Sequence, residues 1–167
     1  MKQILVLGGG AAGIVAAIAA AEQGGKAVQV TLLERNPRIG KKLLATGNGR
    51  CNLDNNGVRL EDYFTSDRET LEQMLCAIGG MGVMDWFSDH GLLMQPDEVG
   101  RVYPYSNQAA DVLNLLLYWL ERTGVKVRTD CKAVQVEPGL VTLESGEQLK
   151  ADKIICAFGG SAGYLVY

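Results

Sequence analysis

Gly8, Gly10 and Gly13 stand in a Gly-x-Gly-x-x-Gly spacing, and Glu34 follows the last of them. The gap to that acid is near the ~20 residues that separate a phosphate-binding turn from a ribose-binding carboxylate. One chemistry suits such a set: the binding of a dinucleotide. A glycine at the first position lets the chain turn out of a strand. One at the second has no Cβ, so a diphosphate can approach the backbone. One at the third lets a helix pack closely on the strand. The carboxylate can then accept both hydroxyls of a ribose.

The flanking elements must hold these groups at one end of a sheet. Ile4-Leu5-Val6-Leu7 reads as a short buried strand, and Ile14 to Ala21 as a helix whose first amides face the diphosphate. Gly24-Gly25 ends the helix. Val28-Gln29-Val30-Thr31-Leu32-Leu33 reads as a second strand with Glu34 at its tip. The stretch before Glu34 is slightly long, as if the turn between helix and strand carried a small insertion.

A second chemical stretch follows. Arg35-Asn36-Pro37-Arg38-Ile39-Gly40-Lys41-Lys42 is basic and contains Pro, so it reads as a loop leading into a short helix. Ala45-Thr46-Gly47-Asn48-Gly49-Arg50-Cys51-Asn52 then sets glycines among hydrogen-bonding side chains, as backbone lying against a ligand would. Lys41, Lys42 and Arg50 could oppose phosphate charge. A solvated basic loop fits the same composition. Cys51 could be a redox partner of a bound cofactor, or a packing residue. A redox dithiol needs a second nearby cysteine, which the spacing does not supply.

Composition narrows the class. The 167 residues suffice for one domain with a core; 47% are hydrophobic and 21% charged, as in ordinary globular proteins. The net charge of −3 argues against nucleic acid or an anionic membrane as main partner. The N-terminus lacks the layout of a signal peptide. The longest helix-like apolar run, Ala11 to Ala21, would span only about 16 Å, too short for a bilayer. These features point to a cytoplasmic protein. Of the four cysteines, Cys51, Cys76, Cys131 and Cys156, none forms a Cys-x-x-Cys pair, and His90 is the one histidine. No metal site is expected, and Cys76 and Cys156, set in apolar runs, read as core residues.

Further along, Leu71, Met74, Leu75 and Ile78, then Val83, Met84, Trp86 and Phe87, recur at helical spacing. They read as two short helices broken at Gly79-Gly80, their Met and aromatic residues in the core. His90 sits near a helix end in a structural role. Ser106 reads as the cap of a Leu-rich helix from about Asn107 to Arg122. Val125 to Thr129 alternates as a strand. Ala133–Glu137, Leu140–Leu143 and Glu147–Lys150, with turns at Pro138-Gly139 and Ser145-Gly146, read as an antiparallel meander. Lys153-Ile154-Ile155-Cys156-Ala157 is a further apolar strand.

The run Gly8 to Gly13, then Leu33-Glu34-Arg35-Asn36-Pro37, then Gly40 to Leu53 with its Gly49-Arg50-Cys51-Asn52 core, resembles the YhiN/BaiN-like family of bacterial flavoproteins. A second marker, Gly100-Arg101-Val102-Tyr103-Pro104-Tyr105-Ser106-Asn107-Gln108-Ala109-Ala110-Asp111-Val112, is similar to that family's Gly-Arg-aromatic-Pro-Ser-Ala-Val segment. The resemblance implies an α/β fold: a Rossmann-like parallel sheet binding FAD or NAD(P), with helices on both faces and a small antiparallel β-meander as crossover. It divides the chain into a βαβ unit with the flavin loop at 1–53, a helical insertion at 54–124, a strand and meander at 125–152, and a returning strand and tail at 153–167.

The same resemblance implies FAD as cofactor, NAD(P)H as electron donor and an organic acceptor such as a conjugated C=C bond. The cofactor-binding residues would be Gly8, Gly10, Ala11, Ala12, Gly13, Glu34, Arg35, Lys42, Gly47, Gly49, Arg50, Cys51, Asn52, Val134 through its backbone, and Gly159. No catalytic acid or base can be nominated. Phe158 stands where the family carries Thr, and the family's substrate-side domain and late Gly-Asp segment have no counterpart here. The chain therefore reads as the N-terminal part of such a protein, with a missing C-terminal half or partner subunit. The alternatives are a dinucleotide-binding module without turnover of its own, or an NAD-binding dehydrogenase half.

Overall fold

The computed structural model describes residues 1–78 and 82–159, and the side chains of all of these except 76–78. In chain order the elements are β1 (Lys2–Leu7), α1 (Ala11–Gly24), β2 (Val28–Leu33), α2 (Lys41–Ala45), β3 (Asp54–Asn55), α3 (Arg68–Ile78), α4 (Val83–Asp89), β4 (Met94–Pro96), β5 (Arg101–Pro104), α5 (Ala109–Arg122), β6 (Lys126–Arg128), β7 (Ala133–Glu137), β8 (Leu140–Leu143), β9 (Gln148–Lys150) and β10 (Lys153–Cys156). They fall into two compact units. One joins Met1–Leu43 to the chain from Leu116 onward, and the other is Leu44–Leu115.

The first unit holds a four-stranded sheet in the order β10-β1-β2-β6, every pairing parallel. Parallel strands need both faces covered, which is why β1 and β2 read as nearly unbroken apolar runs. Leu5, Leu7 and Leu33 pack with Val141 and Leu143 of β8. Val6 and Leu32 alternate to the opposite face and are fully buried, as are Ile14, Ala17 and Ile18 of α1. The meander β7-β8-β9 thus covers one face, and α1 packs along β1, β2 and β10. Leu7 is in register with Leu33 and with Cys156, so the three strands end level. Whatever follows each of them gathers at one sheet end, beside the strand where the order reverses.

The βαβ unit, the Gly25 helix stop, the strand rejoining the sheet and the meander stand as the residue pattern leads one to expect. The extra length before Glu34 is a 3-10 turn over Gly25–Ala27. Cys156 corrects one expectation. It is exposed, because β10 is the outer strand of the sheet.

The second unit contains strands the sequence did not announce. β3, β5 and β4 form a small antiparallel sheet with β5 in the middle. They have 2, 4 and 3 residues, and both longer strands end in proline, so no alternation could develop. α3 and α4 flank the expected break, whose Gly79-Gly80 lies outside the described residues. Of their apolar side chains Phe87 is buried, whereas Met74, Leu75 and Val83 are exposed. Helical spacing reveals an apolar face but not what covers it. His90 accords with a structural role: Nδ1 lies 2.7 Å from the Trp86 carbonyl and the ring stacks on that indole.

α5 begins at Ala109 rather than Asn107, since Asn107 takes a φ of +54°. Ser106 accepts the Gln108 N–H just ahead of the helix. Among the described residues no helix is long and apolar enough to cross a membrane.

Candidate functional site

Four glycines shape the turn between β1 and α1, and the space around each differs. A Cβ on Gly8, whose φ is +110°, would lie 2.5 Å from the Ala157 carbonyl oxygen. One on Gly9 would meet Ile39 Cγ2 at 2.5 Å, and one on Gly13 the Gly8 carbonyl oxygen at 1.8 Å. At Gly10 nothing lies within 4 Å. Three glycines are therefore demanded by the protein's own packing, and the fourth opens onto free space at the start of α1. α1 runs for 14 residues with no side-chain cap and no acid in its first turn. Its first amides and the positive end of its dipole are left for an outside anion. A cradle that one Cβ would fill, at a helix N-terminus, fits a dinucleotide's diphosphate.

Glu34 stands beside that cradle. It is 8% exposed and is the buried charged residue among those described. Oε2 accepts the Gly9 N–H at 2.7 Å, and Oε1 accepts the Asn36 N–H at 2.8 Å together with the Asn36 side-chain amide. The carboxylate thus ties the tip of β2 to the glycine turn. A carboxylate offers about four lone-pair sites, so acceptor capacity remains for a hydroxyl. Its backbone is anchored as well: the Glu34 N–H donates to the Arg128 carbonyl, and the Cys131 N–H donates to the Glu34 carbonyl. Gly9, Asn36 and Ile39 were not singled out from sequence. The extra glycine in the middle of the Gly8-Gly9-Gly10 run was the signal for the first of them.

Other expected residues sit near the same sheet end. Arg35 is exposed just past Glu34, and Lys42 is exposed on α2. Gly159 follows β10, the strand beside β1, with a φ of +70° and open space at its Cβ position. Val134 occupies a bulge. The register of β7 and β8 steps from Ala133↔Leu143 to Gln135↔Thr142, which leaves Val134 without a partner residue on β8.

The Gly47–Asn52 stretch belongs to the second unit and is folded unusually. Gly47, Asn48, Gly49 and Cys51 all have positive φ. A Cβ on Gly47 would lie 2.9 Å from the Asn52 nitrogen. The Cys51 N–H donates to the Thr46 carbonyl at 3.0 Å. Cys51 itself is buried, and burial pushes its thiol above its ordinary value of 9.0, against a smaller opposing effect of the Thr46 hydrogen bond. A protonated, buried thiol is a poor nucleophile, which favours the packing role. Cys51 is therefore expected to react with iodoacetamide at neutral pH more slowly than exposed Cys156, because it is buried and burial disfavours its thiolate. Its rate should climb only as the pH passes above the ordinary thiol range. Peptide mass spectrometry of the alkylated protein measures both. Equal rates would return Cys51 to the redox reading.

Among the described residues no group of three or more His, Cys, Asp or Glu side chains could hold a metal ion.

Comparison with known proteins finds relatives that match over most of the chain. The chain is 42% identical over 165 residues to the 3-dehydro-bile acid delta(4,6)-reductase of Clostridium scindens, covering 97% of this chain and 40% of that protein. It is 24% identical over 159 residues to the ribosomal RNA dihydrouridine synthase of Escherichia coli, covering 93% of this chain and 39% of that one. The chain thus spans about 40% of the length of these curated relatives. Among solved structures, Thermovibrio ammonificans THI4 matches with a TM-score of 0.60 at 16% identity, over 96% of this chain and 58% of that one. A 2-methyl-3-hydroxypyridine-5-carboxylic acid oxygenase matches at 0.52 and 22%, over 92% and 38%. Both speak for the fold alone. The model of the HI0933-like protein Rossmann domain matches residues 2–164, and the chain belongs to that family.

Proposed function

We propose that this chain is the FAD-binding part of a flavin-dependent oxidoreductase. The observation that carries the reading is the open backbone at Gly10, at the start of α1 and beside the carboxylate of Glu34. The diphosphate lies against Gly8, Gly10 and Gly13, within reach of the amides of Ala11 and Ala12. Glu34 accepts the adenosine ribose hydroxyls on its remaining lone pairs, and the Gly9 and Asn36 amides hold it aimed. Arg35 borders the adenine, and the Val134 backbone, at its bulge, touches the same ring. Lys42 lends positive charge to the phosphates. The family resemblance assigns Gly47, Gly49, Arg50, Cys51 and Asn52 of the second unit to the flavin half, and Gly159 lies under the nucleotide.

FAD supplies the redox chemistry when bound: two electrons taken from NAD(P)H and passed to an organic acceptor such as a conjugated C=C bond. The 42% identity to a bile-acid reductase supports a small organic acceptor. The net charge of −3 speaks against RNA. The coverage of 40% of that relative favours a second reading, a dinucleotide-binding module that turns over only with a further domain or partner subunit.

Titration of the purified chain with FAD and with ADP, followed by anaerobic addition of NADH or NADPH, tests both. Visible flavin absorbance that either nicotinamide bleaches is the result expected of an oxidoreductase. A yellow protein that neither reduces supports the module. Failure to bind both FAD and ADP overturns the two together.

A further inference from the structure

We propose that Arg50 is a positioning residue that locks the Thr46–Asn52 loop by lying over the Tyr103 ring, rather than a cation held for a phosphate. The inference rests on the preceding reading only in assigning that loop to the flavin half. The two sequence markers meet here, Arg50 from the first and Tyr103 from the second.

The guanidinium carbon lies 4.2 Å from the centre of the Tyr103 ring. Nη2 donates to the Tyr103 hydroxyl at 3.3 Å, and Nε donates to the Gly47 carbonyl at 3.3 Å. The Arg50 backbone N–H donates to that same carbonyl at 3.1 Å. Tyr103 is 3% exposed and sits in β5, the central strand of its sheet, so it is a fixed platform. Its Cε1 would also lie 3.2 Å from a Cβ on Gly47. The ring therefore supports both ends of the turn, the glycine directly and the arginine by stacking.

The loop needs such a lock. Asn48 and Cys51 hold a conformation that L residues seldom adopt, with φ of 54° and 60°. Such backbone persists only where surroundings over-determine it. A planar guanidinium stacks on an aromatic face and keeps its donors in a fixed fork; an ammonium does neither as well. With its charged head over the Tyr103 ring and Nε on the Gly47 carbonyl, Arg50 is committed to the protein.

Four variants separate positioning from charge: R50K, Y103F, Y103L and the R50K/Y103L pair. In the protein without FAD, amide hydrogen exchange at Arg50 and Cys51 should rise about tenfold in R50K and in Y103L, and hardly in Y103F. The pair should be no faster than either single. With FAD, R50K and Y103L should share one altered flavin absorbance band and one weakened affinity, while Y103F matches the parent. If R50K binds FAD as the parent does, or weakens it without any change in exchange, Arg50 acts through charge or not at all and the proposal falls. If the exchange pattern holds but the parent chain takes up no FAD, the lock stands and the flavin reading falls instead.

Discussion

Gly10→Thr is expected to lose FAD while folding as stably as the parent chain. The two halves of that result have separate causes. Gly10 is the N-cap of α1, with φ −82° and ψ −178°, and its carbonyl accepts the Ile14 N–H at 3.0 Å. Those angles are extended backbone that threonine adopts freely, and threonine serves about as well as glycine at an N-cap. Nothing lies within 4 Å of the new Cβ. Stability should stay within about 0.5 kcal/mol, or ~1–2 °C in Tm. The ligand is affected differently. The new methyl and hydroxyl occupy the approach to the diphosphate, and the hydroxyl takes a first-turn amide for itself. Two charge-assisted hydrogen bonds at about 1.5–3 kcal/mol each amount to a loss of roughly 100-fold or more in affinity. Fluorescence titration with FAD and a thermal melt, run on one preparation, measure both. Binding within a few-fold of the parent would mean that no diphosphate rests on this backbone.

The sheet end that makes Gly10 matter is legible in the residues because each signal there is local. An apolar run, a glycine turn and an alanine-rich helix lie consecutively, and Glu34 follows at a spacing set by one helix and one strand. Helix α1 and the meander cover the two faces, so the inner residues of β1 and β2, Ile4 to Leu7 and Val30, Leu32 and Leu33, are apolar. Long-range partners are the part that spacing does not encode. Ile39 packs on Gly9, and Asn36 shares Glu34 with the turn, yet both read as members of a polar loop. The antiparallel strands of the second unit are too short and too proline-marked to alternate. Cys156 looks like core until the strand order puts β10 at the rim. Tyr103 could be seen as part of a marker, but nothing in its neighbours names Arg50 as what it carries.

Gly13→Ala, three residues from Gly10, is expected to do the reverse and unfold the first unit whatever it binds. Its Cβ would lie 1.8 Å from the Gly8 carbonyl oxygen, 3.0 Å from the Gly8 carbonyl carbon and 3.3 Å from the Ala157 Cβ. Both nearer atoms are backbone. Gly8 cannot retreat, because its own Cβ position already lies 2.5 Å from the Ala157 oxygen and its N–H is bonded to the Leu33 carbonyl at 2.8 Å. Relief must come from lifting α1 off β1, and that exposes Ile14, Ala17 and Ile18, each fully buried now. Alanine's better helix propensity recovers at most about 1 kcal/mol. Fully exposing the two isoleucines costs about 1.5–3 kcal/mol each. A net destabilisation of about 2–5 kcal/mol follows, or a Tm lower by roughly 4–20 °C at this chain length. Thermal unfolding by circular dichroism reads it directly, and recovery of the variant only from the insoluble fraction is the extreme of the same outcome. A melt within about 1 kcal/mol of the parent would show that helix and turn part cheaply. Gly13 would then owe its place to the ligand, as Gly10 does, and not to the seam between α1 and the strand beneath it.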